Sequence, residues 1–287
     1  MRSRWDTSKR TDEKGKLTPL IFTANDLDIC KLLCPTQTIR APWSYQYLPT
    51  GTIAKLLDRD PQYISNRLQE LVCEPWNYVA QPDQPEINFR DIIYSIGVNG
   101  ADELREAGAD IARRSSLRML AHELLACISA ASVEYGSMTQ KGVSIETVQE
   151  KHNFRPDWPI FWLTTPFQQK RVYLEADRGT ERLESHPTDV NIEDKLTEYL
   201  SLGPALKDAM VIFVTVRRTR VEAMIERLKK AIDKAGVPHS YARSFAFTHI
   251  PYDRFLTKVP KLTDWAVTAD YQRAGAAGPF NFMREGK

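Results

Sequence analysis

Arg155-Pro156-Asp157-Trp158-Pro159-Ile160-Phe161-Trp162-Leu163, a polar turn over 164–169, and Lys170-Arg171-Val172-Tyr173-Leu174-Glu175-Ala176-Asp177-Arg178-Gly179 form the stretch on which the reading of this chain turns. Both apolar runs have the length and composition of strands, and a link this short fits a hairpin. Residues two apart on a strand share a face, so Glu175 and Asp177 point the same way. A hairpin then brings Asp157, at the start of one strand, toward the acids at the end of the other. Three carboxylates converging at a sheet rim make a hard-oxygen site for Mg²⁺, or Mn²⁺ in its place. The competing reading of the same acids is an arginine-paired structural network at a strand end, with Arg178 beside them.

Composition sets the frame. A chain of 287 residues has room for two domains, and 42% hydrophobic with 26% charged residues describes an ordinary globular protein. A net charge of +2 means that any nucleic-acid role rests on local patches. The longest aliphatic run, 210–216, is too short to cross a bilayer, and the polar N-terminus lacks the apolar segment of a signal peptide. A cytoplasmic protein without membrane partners is expected. Cys30, Cys34, Cys73 and Cys127 form no zinc pattern and read as reduced, mostly buried thiols.

Residues 1–17 read as a disordered basic arm, with six Lys or Arg against three acids over 1–16. Thr23 as N-cap with Asp26 three residues on opens a helix. After a loop over 35–49 rich in proline and aromatics, 50–59 and 61–72 read as two helices separated by Asp60-Pro61, the spacing of a helix-turn-helix. The outer face of the second helix carries Gln62, Tyr63, Ser65, Asn66, Arg67 and Gln69. Arginine can read guanine, asparagine and glutamine can read adenine, and serine can hold a phosphate. Two short strands around 76–79 and 91–96, with a proline-rich tip between them, read as a wing, and 97–105 as a closing helix. Residues 18–110 are therefore expected to be a winged-helix unit that binds double-stranded DNA; any amphipathic helix of a small bundle would show a similar polar face. The end of this segment, Tyr94 to Leu104, resembles that of many bacterial winged-helix domains.

From 115 the order reads helix (115–135), three strands (143–148, 159–163, 171–176), helix (192–202), strand (210–216), helix (220–235). His122 and Glu123 lie mid-helix in the first of these, Glu123 as an acid able to complete a metal cluster and His122 as a core or boundary group, with a site role as its lesser alternative. The succession resembles the restriction-endonuclease-like core of the PD-(D/E)XK superfamily, with Pro156-Asp157 for the first motif and Glu175-Ala176-Asp177 for the second. Asp177 stands where that pattern has lysine; Lys195, on the following helix, is the candidate replacement. A narrower resemblance covers most of the chain. The winged-helix start together with segments 155–161, 172–183, 194–200 and 211–220 is similar to the replication-relaxation family of plasmid and phage proteins, and residues 174–181, followed about a dozen residues later by a lysine and a tyrosine, are its most distinctive part.

The resemblance implies an α+β/α/β protein: a winged helix-turn-helix, then a nuclease-like mixed-sheet core with flanking helices over 115–255, and an extension over 256–287. It implies DNA transactions on a mobile element. In the catalytic version Asp157, Glu175 and Asp177 hold Mg²⁺ or Mn²⁺, Lys195 positions the attacking water, and Arg171, Arg178 and Arg182 neutralise phosphates. In the other version the nuclease fold is inactive, and the protein is a sequence-specific initiator, regulator or assembly factor. A second copy of the chain and other mobile-element proteins complete the expected partners. The C-terminal stretch, rich in glycine and aromatics, reads as poorly ordered or as a docking segment.

Overall fold

The computed structural model describes residues 20–34, 43–82, 92–111, 120–148, 154, 156–178, 191–250, 262–274 and 279–284. The basic arm, Pro85 of the proline-rich tip, and Arg182 with the rest of 179–190 lie outside them.

Six elements build the front of the chain: α1 (Ala24–Leu32), β1 (Leu48–Pro49), α2 (Thr50–Leu56), α3 (Pro61–Val72), β2 (Val79–Ala80) and β3 (Ile93–Ile96), closed by α4 (Val98–Glu106). Local chemistry sets the boundaries. Thr23 and Asp26 cap each other reciprocally at the start of α1, so two orphan N–H groups are satisfied. At α3 Asp60 caps Tyr63 N while Pro61 occupies the first turn, where a missing N–H costs nothing. The three strands form an antiparallel sheet in the order β1-β3-β2. Gly97 is required at the turn into α4: an added Cβ would stand 2.0 Å from the Asn77 carbonyl oxygen.

The rest of the chain is a mixed α/β unit. It runs α5 (Leu120–Thr139), β4 (Ser144–Thr147), β5 (Phe161–Thr164), β6 (Gln169–Asp177), α6 (Ile192–Leu200), β7 (Ala209–Thr215), α7 (Arg218–Ala235) and β8 (Phe245–His249). The five strands lie in sequence order, with β4, β5 and β6 antiparallel neighbours and β6, β7 and β8 parallel ones. Because the parallel pairs need crossovers, α6 and α7 connect them. A short 3-10 turn, His239–Ser244, brings the chain from α7 to β8.

Alternation along β6 divides the molecule into layers. Val172, Leu174 and Ala176 face one core together with Met210, Ile212, Val214 and the apolar residues of α5. Tyr173 faces a second core with Val211, Phe213, Leu196, Met224 and Leu228, beneath α6 and α7. The first core continues without a break into Ile29, Ile53, Ile64, Leu68 and Ile96 of the front elements. Trp43 and Tyr45, from the loop before β1, make the junction. Trp43 packs edge-on against Trp158 and Phe161, and Tyr45 stacks on Trp158. The buried Glu134 of α5 accepts hydrogen bonds from the Trp43 backbone N–H and the Tyr45 hydroxyl.

The C-terminal stretch is docked where it is described. A short helix, α8 (Trp265–Thr268), lies on α5 with Val267 against Gly136. Gln272 pairs with Phe247 outside β8, and Tyr271 with Phe280. Phe280 and Phe282 are buried, and the Phe282 carbonyl accepts from Thr165 in the β5–β6 turn. No helix among the described residues is long and apolar enough to cross a membrane.

Candidate functional site

The hairpin, the parallel crossover and α5 all end at one place. Asp157 sits in the lead-in to β5, and its Oδ2 accepts the Ala176 backbone N–H at 2.9 Å, which fixes it against β6. Glu175 lies on the face of β6 that looks toward α6. Lys195 Nζ stands between the two acids, 2.9 Å from Glu175 Oε2 and 3.4 Å from Asp157 Oδ2. One turn further along α6, the Tyr199 hydroxyl donates to Glu175 Oε1. Spacing of four residues puts Lys195 and Tyr199 on one helix face, so a single helix grips both carboxylate oxygens of Glu175. Asn191 starts α6 by accepting from Asp194 N, which sets the phase of that face.

His122 of α5 completes the cluster, with Nε2 3.2 Å from Asp157 Oδ1. Three elements on different sides of the sheet therefore converge on Asp157. The side chains are mostly covered, Glu175 at 3% exposure and Lys195, His122 and Asp157 at 12–16%. The opening is on the Asp157, His122 and Lys195 side.

Electrostatics separates the two acids. Burial pushes the Glu175 carboxyl far above the ordinary carboxylate range, and the neighbouring Asp157 charge adds to that, with Lys195 and Tyr199 opposing. For Asp157 burial acts in the same direction but is outweighed by the His122 hydrogen bond and the Lys195 charge, so its carboxyl titrates well below the usual range. Asp157 is the anion and Glu175 holds the proton more readily. Two close carboxyls that cannot both ionise cheaply are a place where added positive charge is favoured.

Asp177 departs from the expected set. It shares the face of Glu175, but its carboxylate accepts Arg220 Nε at 2.7 Å, Arg220 Nη2 at 3.3 Å and the Thr215 hydroxyl at 3.2 Å. This ion pair from the first turns of α7 is buried, with Asp177 at 1%. Its oxygens are committed, as the arginine-paired reading of the acids has it, with Arg220 as an arginine that pairs with them. Among the described residues no group of three or more His, Cys, Asp or Glu is arranged to hold a metal ion. Glu123 faces Cys127, whose thiol pKa it helps to raise. Arg171 is four residues before Glu175 on β6, about 13 Å away at strand rise. There it packs over Tyr173 and reaches the Ala205 carbonyl at 3.4 Å.

The front face also needs one correction. Arg67 does not project from α3: Nε and Nη2 bond both oxygens of the fully buried Asp26 at 2.6 and 2.5 Å, and Nη1 bonds Glu70 at 2.5 Å. An arginine bound at both ends of its fork cannot also read guanine. Burial raises the Asp26 pKa, but the Arg67 and Thr23 hydrogen bonds outweigh it, and its carboxyl titrates below the ordinary value. The other candidates do lie outward: Gln62 and Asn66 are exposed and bonded to each other at 2.9 Å. Tyr63 is 42% exposed, and Ser65 and Gln69 are half-buried at the rim.

Tyr199 and Arg220 are contributors that the sequence does not assign to the site, and His122 is one for which it offers a site role only as the lesser reading. Each comes from a different helix, and only the packing of those helices on the sheet brings them to the acids. Comparison of the chain with family models, with curated proteins and with solved structures finds no match.

Proposed function

We propose that the chain is a DNA-binding protein with a nuclease-like unit of the PD-(D/E)XK type, acting in replication or processing of mobile-element DNA by metal-dependent phosphodiester cleavage. The observation that carries this reading is the convergence of Asp157, Glu175 and Lys195 on one point at the end of a helix–three-strand–helix–strand unit. Support for the metal comes from Lys195 Nζ, which marks a position 2.9 and 3.4 Å from the two carboxylates where a cation is already favoured. Mg²⁺ characteristically takes one or two carboxylates and fills its remaining positions with water and substrate phosphate, so Asp157 and Glu175 fit it without Asp177. When bound, such an ion supplies Lewis-acid stabilisation of the phosphate and a more acidic water. The chain's own residues do the rest. His122 and the Ala176 N–H orient Asp157, Tyr199 orients Glu175, and Lys195, once displaced from between the acids, is placed to hold a nucleophilic water.

The front elements follow the order of a winged helix, and α3 offers Gln62, Tyr63, Ser65, Asn66 and Gln69 to double-stranded DNA. A second reading, sequence-specific binding without cleavage, is favoured by Asp177 in the lysine position and locked to Arg220. Nicking of supercoiled plasmid in Mg²⁺ or Mn²⁺ separates the two. The cleaving protein loses activity to background in Asp157→Asn and Glu175→Gln and is strongly reduced in Lys195→Met. Equal residual cleavage in the variants removes the nuclease reading. DNA binding that is lost in Asn66→Ala, with no cleavage by the unaltered chain, leaves the second.

A further inference from the structure

The carboxyl ends of the parallel strands carry a feature that the carboxylate pocket does not use. Asp177 of β6, Thr215 of β7 and His249 of β8 are in register, so the residues that follow them stand on one rim of the sheet. Two residues past Thr215 the chain reads Arg217-Arg218-Thr219-Arg220, and the first three are exposed. Arg220 instead turns inward, with Nε 2.7 Å from the buried Asp177, and pins the first turn of α7 to the end of β6. Glu175 is two residues before Asp177 on the same strand face, so the turn is pinned about 7 Å of strand rise past the pocket acid. Arg217 and Arg218 lead into that turn and face outward; Arg218 is 73% exposed even with its Nε 3.5 Å from Glu222.

Both arginines work against the helix that they open. A helix start favours Ser, Thr, Asp or Asn at the cap and acids in the first turn. Here Arg217 is the cap residue, with no side-chain oxygen to offer the first-turn N–H groups, Arg218 follows it, and the first turn contains no acid. A local rule broken at an exposed turn beside a site is where a sequence serves function ahead of stability. Exposed guanidinium groups present paired N–H donors matched to phosphate oxygens. We propose that Arg217 and Arg218 grip the DNA backbone on the α/β unit, holding a phosphate of the bound strand beside the Asp157–Glu175 pocket. The inference rests on the DNA-binding reading above and adds a contact that α3, on the front elements, does not supply. Asp177, standing in the lysine position, then serves with Arg220 to anchor this turn.

Fluorescence anisotropy of the full chain with a labelled DNA duplex, in EDTA across a salt series, tests it. Alanine at both Arg217 and Arg218 is expected to weaken low-salt binding about tenfold or more. It also lowers the slope of log affinity against log salt by about 1 to 2, since each phosphate contact carries about 0.9. Lysine at both positions keeps the slope. Alanine at Lys229 and Lys230 removes the same charge from exposed positions further along α7 and leaves the slope unchanged. The substituted arginines are exposed, so the variants are expected to fold, as circular dichroism would show. A slope unaltered by the arginine substitutions, or lowered equally by the lysine ones, overturns the inference even where the unaltered chain cleaves DNA. A slope lowered only by the arginine substitutions, with no cleavage in Mg²⁺, upholds it and removes the nuclease reading alone. Absence of salt-dependent duplex binding by the unaltered chain overturns both.

Discussion

Asp26 and Arg67 show how one pair decides between stability and recognition. Asp26 is fully buried and satisfied by Thr23 and by both prongs of the guanidinium. Removing the arginine leaves a buried carboxylate without its counter-charge, which typically costs about 3–5 kcal/mol. Arg67→Ala is therefore expected to lower the urea midpoint of the whole protein by that order, whatever happens to DNA affinity. The pH dependence has a definite sign. The folded-state pKa of Asp26 is depressed, so its contribution is present above the unfolded value of about 3.9 and is lost as pH falls through the folded one. Urea unfolding of the unaltered chain and of Arg67→Ala should therefore converge on acidification; a constant gap between them would contradict the assignment. Glu175→Gln gives the converse case at a position that the proposed nuclease reading makes functional. It removes a carboxyl that burial holds protonated, while glutamine can still accept from Tyr199. Thermal stability near neutral pH is expected to be unchanged or higher as cleavage disappears, and a large fall in melting temperature would mean that the site is structural.

Elements place these residues. Helix α6 presents Lys195 and Tyr199 one turn apart by their spacing of four residues, and Asn191 caps its start. Asn191→Ala should cost about 1 kcal/mol of stability and reduce cleavage by loosening the grip on Glu175; full activity would show that α6 needs no such cap. Helix α5 offers a sharper test. Alanine in place of a mid-helix glycine ordinarily stabilises by about 1 kcal/mol. At Gly136 a Cβ would meet Val267 Cγ2 at 2.5 Å and its Cβ at 3.1 Å, and a buried branched side chain has little room to move. Gly136→Ala is expected to lower the melting temperature, and a rise would show that α8 does not pack as described.

At the scale of the molecule, the front elements and the five-stranded sheet share one core through Trp43, Tyr45 and Trp158. Calorimetry of the full chain should show one cooperative transition, with Trp43→Ala shifting it by about 3–5 kcal/mol without splitting it; two separated transitions would contradict a common core. The order of elements was readable from periodicity, since β5, β6 and β7 are short apolar runs and α6 and α7 have 3.6-residue stripes. Asp157, Glu175 and Lys195 were readable as a group because each lies at the end of a legible element. Pairings between distant elements were not. Arg67 looked outward by helical phase, yet Asp26, forty-one residues away, draws it in. Asp177 matched a strand-end acid, but its partner Arg220 is set by how α7 returns over the sheet. The aromatic loop before β1 has no periodicity in sequence, so the packing of its Trp43 and Tyr45 on Trp158 depended on tertiary structure alone.

Manganese titration of the full chain, read by electron paramagnetic resonance of the free ion, addresses the carboxylate pocket without depending on turnover. One saturable site is predicted, abolished in folded Asp157→Asn and in folded Glu175→Gln and retained in Asn66→Ala. No saturable site in the unaltered chain, or a site untouched by both carboxylate substitutions, would contradict the account.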